Sequence, residues 1–152
     1  MSFLELVKPN IIKTPLQSKT KEGIIKELLQ LLIDAGKVTD FESTYNAILQ
    51  RESQISTGLA DGIAIPHAKT KTVDSLTLAI GILPEGIDFN ALDGQLSYIF
   101  FMLLAPPDEA ALHMKALSEI AKLVQTKDLC KLLINAKNAQ EIAEILQGKG
   151  AF

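Results

Sequence analysis

Nine residues, Leu96-Ser97-Tyr98-Ile99-Phe100-Phe101-Met102-Leu103-Leu104, form a near-continuous apolar run that stops at Pro106-Pro107. No other stretch restricts the fold as much. A run of this length reads as a central strand buried on both faces, which requires a covering layer on each side. The longest apolar stretch, Tyr98 to Ala105, falls far short of the roughly 20 residues that a membrane-crossing helix needs.

The material for those layers lies on either side of the run. A first helix is expected over about 19 to 35. Ser18 or Thr20 can cap it, Ile24, Ile25, Leu28, Leu29, Leu31 and Leu32 form its apolar face, and Gly36 ends it. A capping box, Thr39-Asp40-Phe41-Glu42, opens a second helix that carries Tyr45, Ile48 and Leu49 inward and ends near Arg51-Glu52. Turn residues then surround β-rich pieces at about 63 to 66 and 76 to 83. Beyond Pro106-Pro107, Asp108 opens a helix to about 125, with Leu112, Ala116, Ile120 and Leu123 at burial spacing. Short helices follow at about 127 to 135 and 139 to 147, the second with its own box, Asn138-Ala139-Gln140-Glu141. Residues 1 to 17 read as an entry segment with a short strand or turn, broken by Pro9 and Pro15. No repeat or linker divides the chain, so one domain over 1 to 152 is expected. The fold class is α/β: a mixed β-sheet flanked by helices on both faces.

Composition removes several functions. The net charge is −3 without any block of like charges, so neither nucleic acid nor an anionic membrane surface is favoured. The start, Met1-Ser2-Phe3-Leu4-Glu5, lacks the basic region and cleavage site of a secretory leader, and one cysteine excludes an intrachain disulfide. A cytoplasmic location is the default expectation. With two histidines and one cysteine far apart in sequence, no paired ligand spacing supports a metal site. A Gly-x-Ser-x-Gly elbow is absent. Cys130, in Asp128-Leu129-Cys130-Lys131-Leu132-Leu133, reads as small core filling on a helix face.

What remains is Ile63-Ala64-Ile65-Pro66-His67, whose histidine lies fifteen residues after Glu52, with Ser56-Thr57-Gly58 between. Proline cannot donate to a ladder, so pairing is expected to stop there and leave His67 on a rigid base within reach of solvent. Two readings stand. The histidine either ends a strand and bonds the backbone, or it acts chemically as nucleophile or base. Arg51 and the hydroxyl-glycine turn favour transient handling of an anion, phosphoryl above all. His113 likewise reads either as an exposed or half-buried helix residue or as a partner of His67. The second reading requires the central strand to end beside His67, since sites in α/β sheets gather where strands end and helices begin.

The segment from Arg51 through Ala68 resembles the active-site signature of enzyme IIA of the fructose/mannitol class, phosphocarrier domains of the bacterial phosphoenolpyruvate-dependent sugar phosphotransferase system. Leu83-Pro84-Glu85-Gly86-Ile87, Leu92-Asp93-Gly94 and Leu112-His113-Met114-Lys115-Ala116-Leu117 resemble the family's middle segment and second-histidine helix, in the same order. Ala60 stands where glycine is frequent. The resemblance implies that His67 is phosphorylated by the phosphohistidine of HPr and passes the group to a cysteine of enzyme IIB. It makes Arg51 a support for the phosphoryl oxygens, His113 the second active-site histidine, and Thr57 and Gly58 suppliers of a hydroxyl and a backbone N–H. No cofactor and no metal enter. It implies that Leu59, Ile63 and Met114 face docking partners, with core packing as the other role of Ile63. The alternative is a nitrogen-type regulatory enzyme IIA that controls partner proteins through its phosphorylation state.

Overall fold

The structure, a computed structural model, describes residues 3–148. Met1, Ser2 and residues 149 to 152, which the one-domain expectation includes, lie outside that range. Five strands and five α-helices follow one another: β1 (Ile12–Lys13), α1 (Lys21–Asp34), α2 (Phe41–Gln54), β2 (Ile63–Ala64), β3 (His67–Lys69), β4 (Thr77–Ile87), β5 (Ser97–Ala105), α3 (Ala110–Leu123), α4 (Lys127–Ile134) and α5 (Ala139–Leu146). Strand order is β1-β4-β5-β2, with β3 also on β5. β4 and β5 are antiparallel, whereas β1 runs parallel to β4, and β2 and β3 run parallel to β5. The sheet is therefore mixed, as the sequence indicates.

The apolar run becomes β5, in which every residue but Tyr98 is buried. Its two faces meet different layers. Phe101 takes the ring of Phe3 edge-on, 6.3 Å away. On the other face Gly81, which pairs with Phe100, leaves room for Leu28 of α1: a Cβ there would stand 2.8 Å from the leucine's Cδ2. Helices cover both faces, and the buried side chains form one contiguous cluster.

Local chemistry sets the helix ends. Thr20 Oγ1 accepts from the Gly23 N–H at 3.0 Å, and Asn138 Oδ1 from the Glu141 N–H at 2.9 Å. At α2 the cap lies one residue later than expected: Asp40, not Thr39, accepts from the Ser43 N–H at 3.0 Å. The helix continues to Gln54, past Arg51-Glu52. The structure also corrects the face of α3. Its inward stripe is His113, Ala116 and Ile120, and Leu112 and Leu123 are only half-buried. A 3₁₀ turn over Pro107–Glu109 precedes the helix, and at about 3.6 residues per turn Leu112 and Leu123 fall at one edge of the stripe that faces the sheet.

Two strand expectations change. β4 continues through Pro84 and Gly86 to Ile87, because the ladder skips from Ile82 to Ile87 and the proline needs no partner there. The strand expected over 63 to 66 is broken but not ended at Pro66. Ile63 and Ala64 pair with Ile99 and Phe100. Ile65 and Pro66 have no paired residue on β5, although the Pro66 carbonyl accepts from the Leu103 N–H at 3.0 Å. Pairing resumes in the same register with His67 opposite Leu103. His67 thus belongs to a strand.

Candidate functional site

Strand alternation places His67 on the same sheet face as Ile63, Leu103 and Phe101. α3 crosses that face and turns His113 inward. The two imidazole rings meet edge to face with centroids 5.4 Å apart. Arg51, near the C-terminal end of α2, lines the same cleft of about 530 Å³, together with Gln50, Lys69 and Met114. A neighbouring hollow of about 280 Å³ shares Arg51 and His67 and adds Ile55, Thr57 and Leu92. The structure therefore brings Arg51, His67 and His113 together. A larger recess of about 710 Å³ lies elsewhere, between Lys13, Lys26, Glu27 and Asp34. There Glu27 is occupied by Lys13 at 2.7 Å and by the backbone of Gln17 and Ser18, so chemistry favours the histidine cleft over the roomier one.

The hydrogen bonds of His67 define its tautomer. Nδ1 lies 2.7 Å from the carbonyl oxygen of Ile65. A carbonyl can only accept, so Nδ1 carries the proton and, in the neutral ring, Nε2 carries the lone pair. Burial lowers the pKa of this imidazole. The Ile65 bond opposes that shift, Arg51 adds to it, and Glu52 opposes it. His113 is pushed down to about 4 by burial first, then by His67 and Lys69. It is 3% exposed, and its Nε2 finds no partner among the described residues. A buried polar atom left unpaired is costly, and one beside the half-buried imidazole of His67 points to a transient ligand. Arg51 donates Nη1–H to the Ile55 carbonyl at 2.9 Å, which leaves most of its five N–H donors uncommitted to any described residue.

Thr57 and Gly58 are placed differently from what the sequence suggests. The Thr57 N–H donates to Glu52 Oε2 at 2.9 Å and its hydroxyl to Glu52 Oε1, while the Gly58 N–H donates to Ser56 Oγ at 3.0 Å. Their donors are spent within the turn, and neither offers one to the cleft. Sequence reasoning missed Lys69, two residues beyond His67 on the same strand face, a relation that period-two alternation could have revealed. It also missed the buried Glu52, paired with Lys21, for which no spacing signal exists. Ile63 is core, Leu59 half-buried, and Met114 63% exposed. Cys130 is buried, and burial, followed by Asp61, pushes its thiol up. That keeps the thiol protonated and unreactive. Among the described residues no three His, Cys, Asp or Glu side chains are grouped to hold a metal ion, and no helix is long and apolar enough to cross a membrane. Two neutral imidazoles, a guanidinium and a lysine suit an anion with several oxygens far better than a cation.

Comparison with known proteins agrees with this chemistry. The family described as "Phosphoenolpyruvate-dependent sugar phosphotransferase system, EIIA 2" matches residues 5–149. A fructose-specific EIIABC component of Bacillus subtilis is 39% identical over 146 residues, which are 96% of this chain but only 23% of that protein. A nitrogen regulatory protein of Bradyrhizobium diazoefficiens is 32% identical over 96% of this chain and 95% of its own length. In three dimensions, the crystal structure of nitrogen regulatory protein IIA-Ntr from Neisseria meningitidis superimposes with a TM-score of 0.87 at 27% identity, covering 95% of this chain and 98% of that one.

Proposed function

The chain belongs to the EIIA type 2 family of the phosphoenolpyruvate-dependent sugar phosphotransferase system, and from that premise we propose that it is a phosphocarrier relaying a phosphoryl group through Nε2 of His67. The donor is the phosphohistidine of HPr and the acceptor a cysteine of an enzyme IIB, in the cytoplasm, with residues 1 to 152 acting as one such domain. The observation that carries the reading is the Ile65 carbonyl on Nδ1, because it makes Nε2 the nucleophile.

The Nε2 lone pair attacks phosphorus as the donor's N–P bond breaks, and that bonding pair returns to the donor imidazole. His67 keeps its Nδ1 proton on the Ile65 carbonyl, so no separate base is required. A thiolate of the acceptor then attacks the same phosphorus, and the N–P electrons revert to Nε2. Transfers of this kind rest on positioning and on donors aimed at the equatorial oxygens. Arg51 supplies a planar fork of N–H groups. The incoming dianion gives the orphan His113 Nε2 a partner, either as an N–H donor or by drawing a proton onto it. Exposed Met114, Leu92 and Ile55 rim the two hollows, an apolar border of the sort that small transient interfaces use.

The decisive experiment supplies phosphoenolpyruvate, enzyme I and HPr to the purified chain. Acid-labile, alkali-stable label that requires HPr and vanishes in His67→Ala is expected; an unlabelled, folded wild type would refute the relay. The near full-length match to a nitrogen regulatory protein supports a second reading, in which the phosphorylation state of His67 controls partner binding. Onward transfer to an enzyme IIB cysteine separates the two: rapid transfer is expected of the transport relay and none of the regulator.

A further inference from the structure

The buried Lys21–Glu52 pair has no task in the transfer described above. Nζ and Oε2 are 2.7 Å apart with side chains 14% and 4% exposed, and Lys21 also sits 4.9 Å over the Phe89 ring. Burying two charges gains little over apolar packing of the same shape, so stability alone is a weak reason for the pair. Its geometry suggests another. Glu52 holds Thr57 at two points, the N–H on Oε2 and the hydroxyl on Oε1. The Thr57 carbonyl accepts from the Ile65 N–H at 3.0 Å, and the Ile65 carbonyl in turn accepts from His67 Nδ1. Pro66 has no N–H, its carbonyl is tied to β5 by the Leu103 N–H at 3.0 Å, and Ile65 has no partner residue on β5. Among the described residues, Thr57 is thus the backbone partner that fixes the Ile65 peptide from outside the sheet.

We infer that Glu52, anchored by Lys21, is a positioning residue that acts through Thr57 and the Ile65 peptide to hold His67 in its Nδ1–H tautomer and keep Nε2 as the reacting nitrogen. This inference rests on the reading of His67 as the phosphoryl acceptor. A glutamine at 52 preserves volume but offers one accepting oxygen instead of two and cannot ion-pair with Lys21. Glu52 also acts through space, its negative charge favouring the imidazolium of His67 against burial and Arg51.

The test is ¹⁵N NMR of the His67 ring across pH, in the full chain and in the Glu52→Gln and Thr57→Val variants, beside phosphorylation kinetics with HPr. Wild type should show one tautomer, with Nδ1 protonated. Glu52→Gln should show averaged nitrogen shifts and a lower His67 pKa. Its phosphorylation at saturating HPr should be about tenfold slower with KM unchanged, the signature of misplacement rather than weaker docking. A folded Glu52→Gln chain with wild-type tautomer, pKa and rate overturns the inference. Should that variant not fold, Thr57→Val decides on the same readouts, since it removes one of the two holds while keeping the side chain's volume. The tautomer is read without any donor. A wild type that shows the Nδ1–H form yet accepts no phosphoryl group therefore overturns the transfer reading and is distinguishable from failure of the positioning role.

Discussion

His113 is an imidazole held away from water, 3% exposed, and its burial has a measurable acid signature. In the unfolded chain it takes up a proton near its ordinary value of 6.5, but in the folded chain only near 4. Between those values the unfolded state binds more protons. The corresponding stability is complete above 6.5 and is lost as pH falls toward 4. By this linkage the loss attributable to His113 is about 3 kcal/mol, and His113→Gln should abolish that share. Urea unfolding of both proteins at pH 7 and at pH values inside the window checks this; equal slopes in wild type and variant would locate the acid sensitivity elsewhere. At the same scale the sequence was informative but incomplete. Arg51, His67 and His113 could be picked out because their residue types are scarce and their order resembles a known signature. Glu52 could not, since its partners Lys21 and Thr57 lie at separations that no helical or strand period links. Thr57 and Gly58 carried suitable groups in the sequence, yet only the folded turn shows those groups already engaged.

Elements were legible where local chemistry decides them and illegible where a distant partner does. Thr20 and Asn138 cap their helices as the sequence suggests, because a cap is a contact over three residues. A short strand within residues 1 to 17 was legible, though its place at Ile12–Lys13 is set by β4. The extension of β4 past Pro84 exists only because β5 stands beside it, and β-propensity carries little of that information. Gly86 illustrates what the extension demands. It has φ +72°, and a Cβ there would stand 2.5 Å from Cε1 of Tyr98. Gly86→Ala must pay both for the left-handed backbone and for displacing the ring. We expect it to lower stability by about 2 kcal/mol or more, measured as a shift in the urea midpoint at constant slope. A neutral result would mean that the turn relaxes without the Tyr98 contact.

For the whole molecule, the sequence disclosed the layers and the single core, since an apolar strand must be covered on both faces, but not which rim residues remain bare. Met114 is 63% exposed beside the histidine cleft, one helical position from the buried His113. In the proposed relay, Met114→Glu should raise KM for HPr about tenfold and leave the rate at saturation unchanged, as expected when a docking contact alone is lost. A fall in the saturated rate with KM unaltered would place Met114 in the chemistry instead. The break at Pro66 has a wider consequence. β2 and β3 form a border of the sheet, and an open border with a regular row of amide groups invites a strand from another chain. Here Leu59 and Thr57 already occupy the outer groups of Ile63 and Ile65, with N–H to carbonyl contacts of 2.7 and 3.0 Å, and the next residue, Pro66, has no hydrogen to give. The irregularity that sets the imidazole at the edge of the cleft therefore also leaves this stretch of the border without the free row of amide groups that a strand of another chain would need.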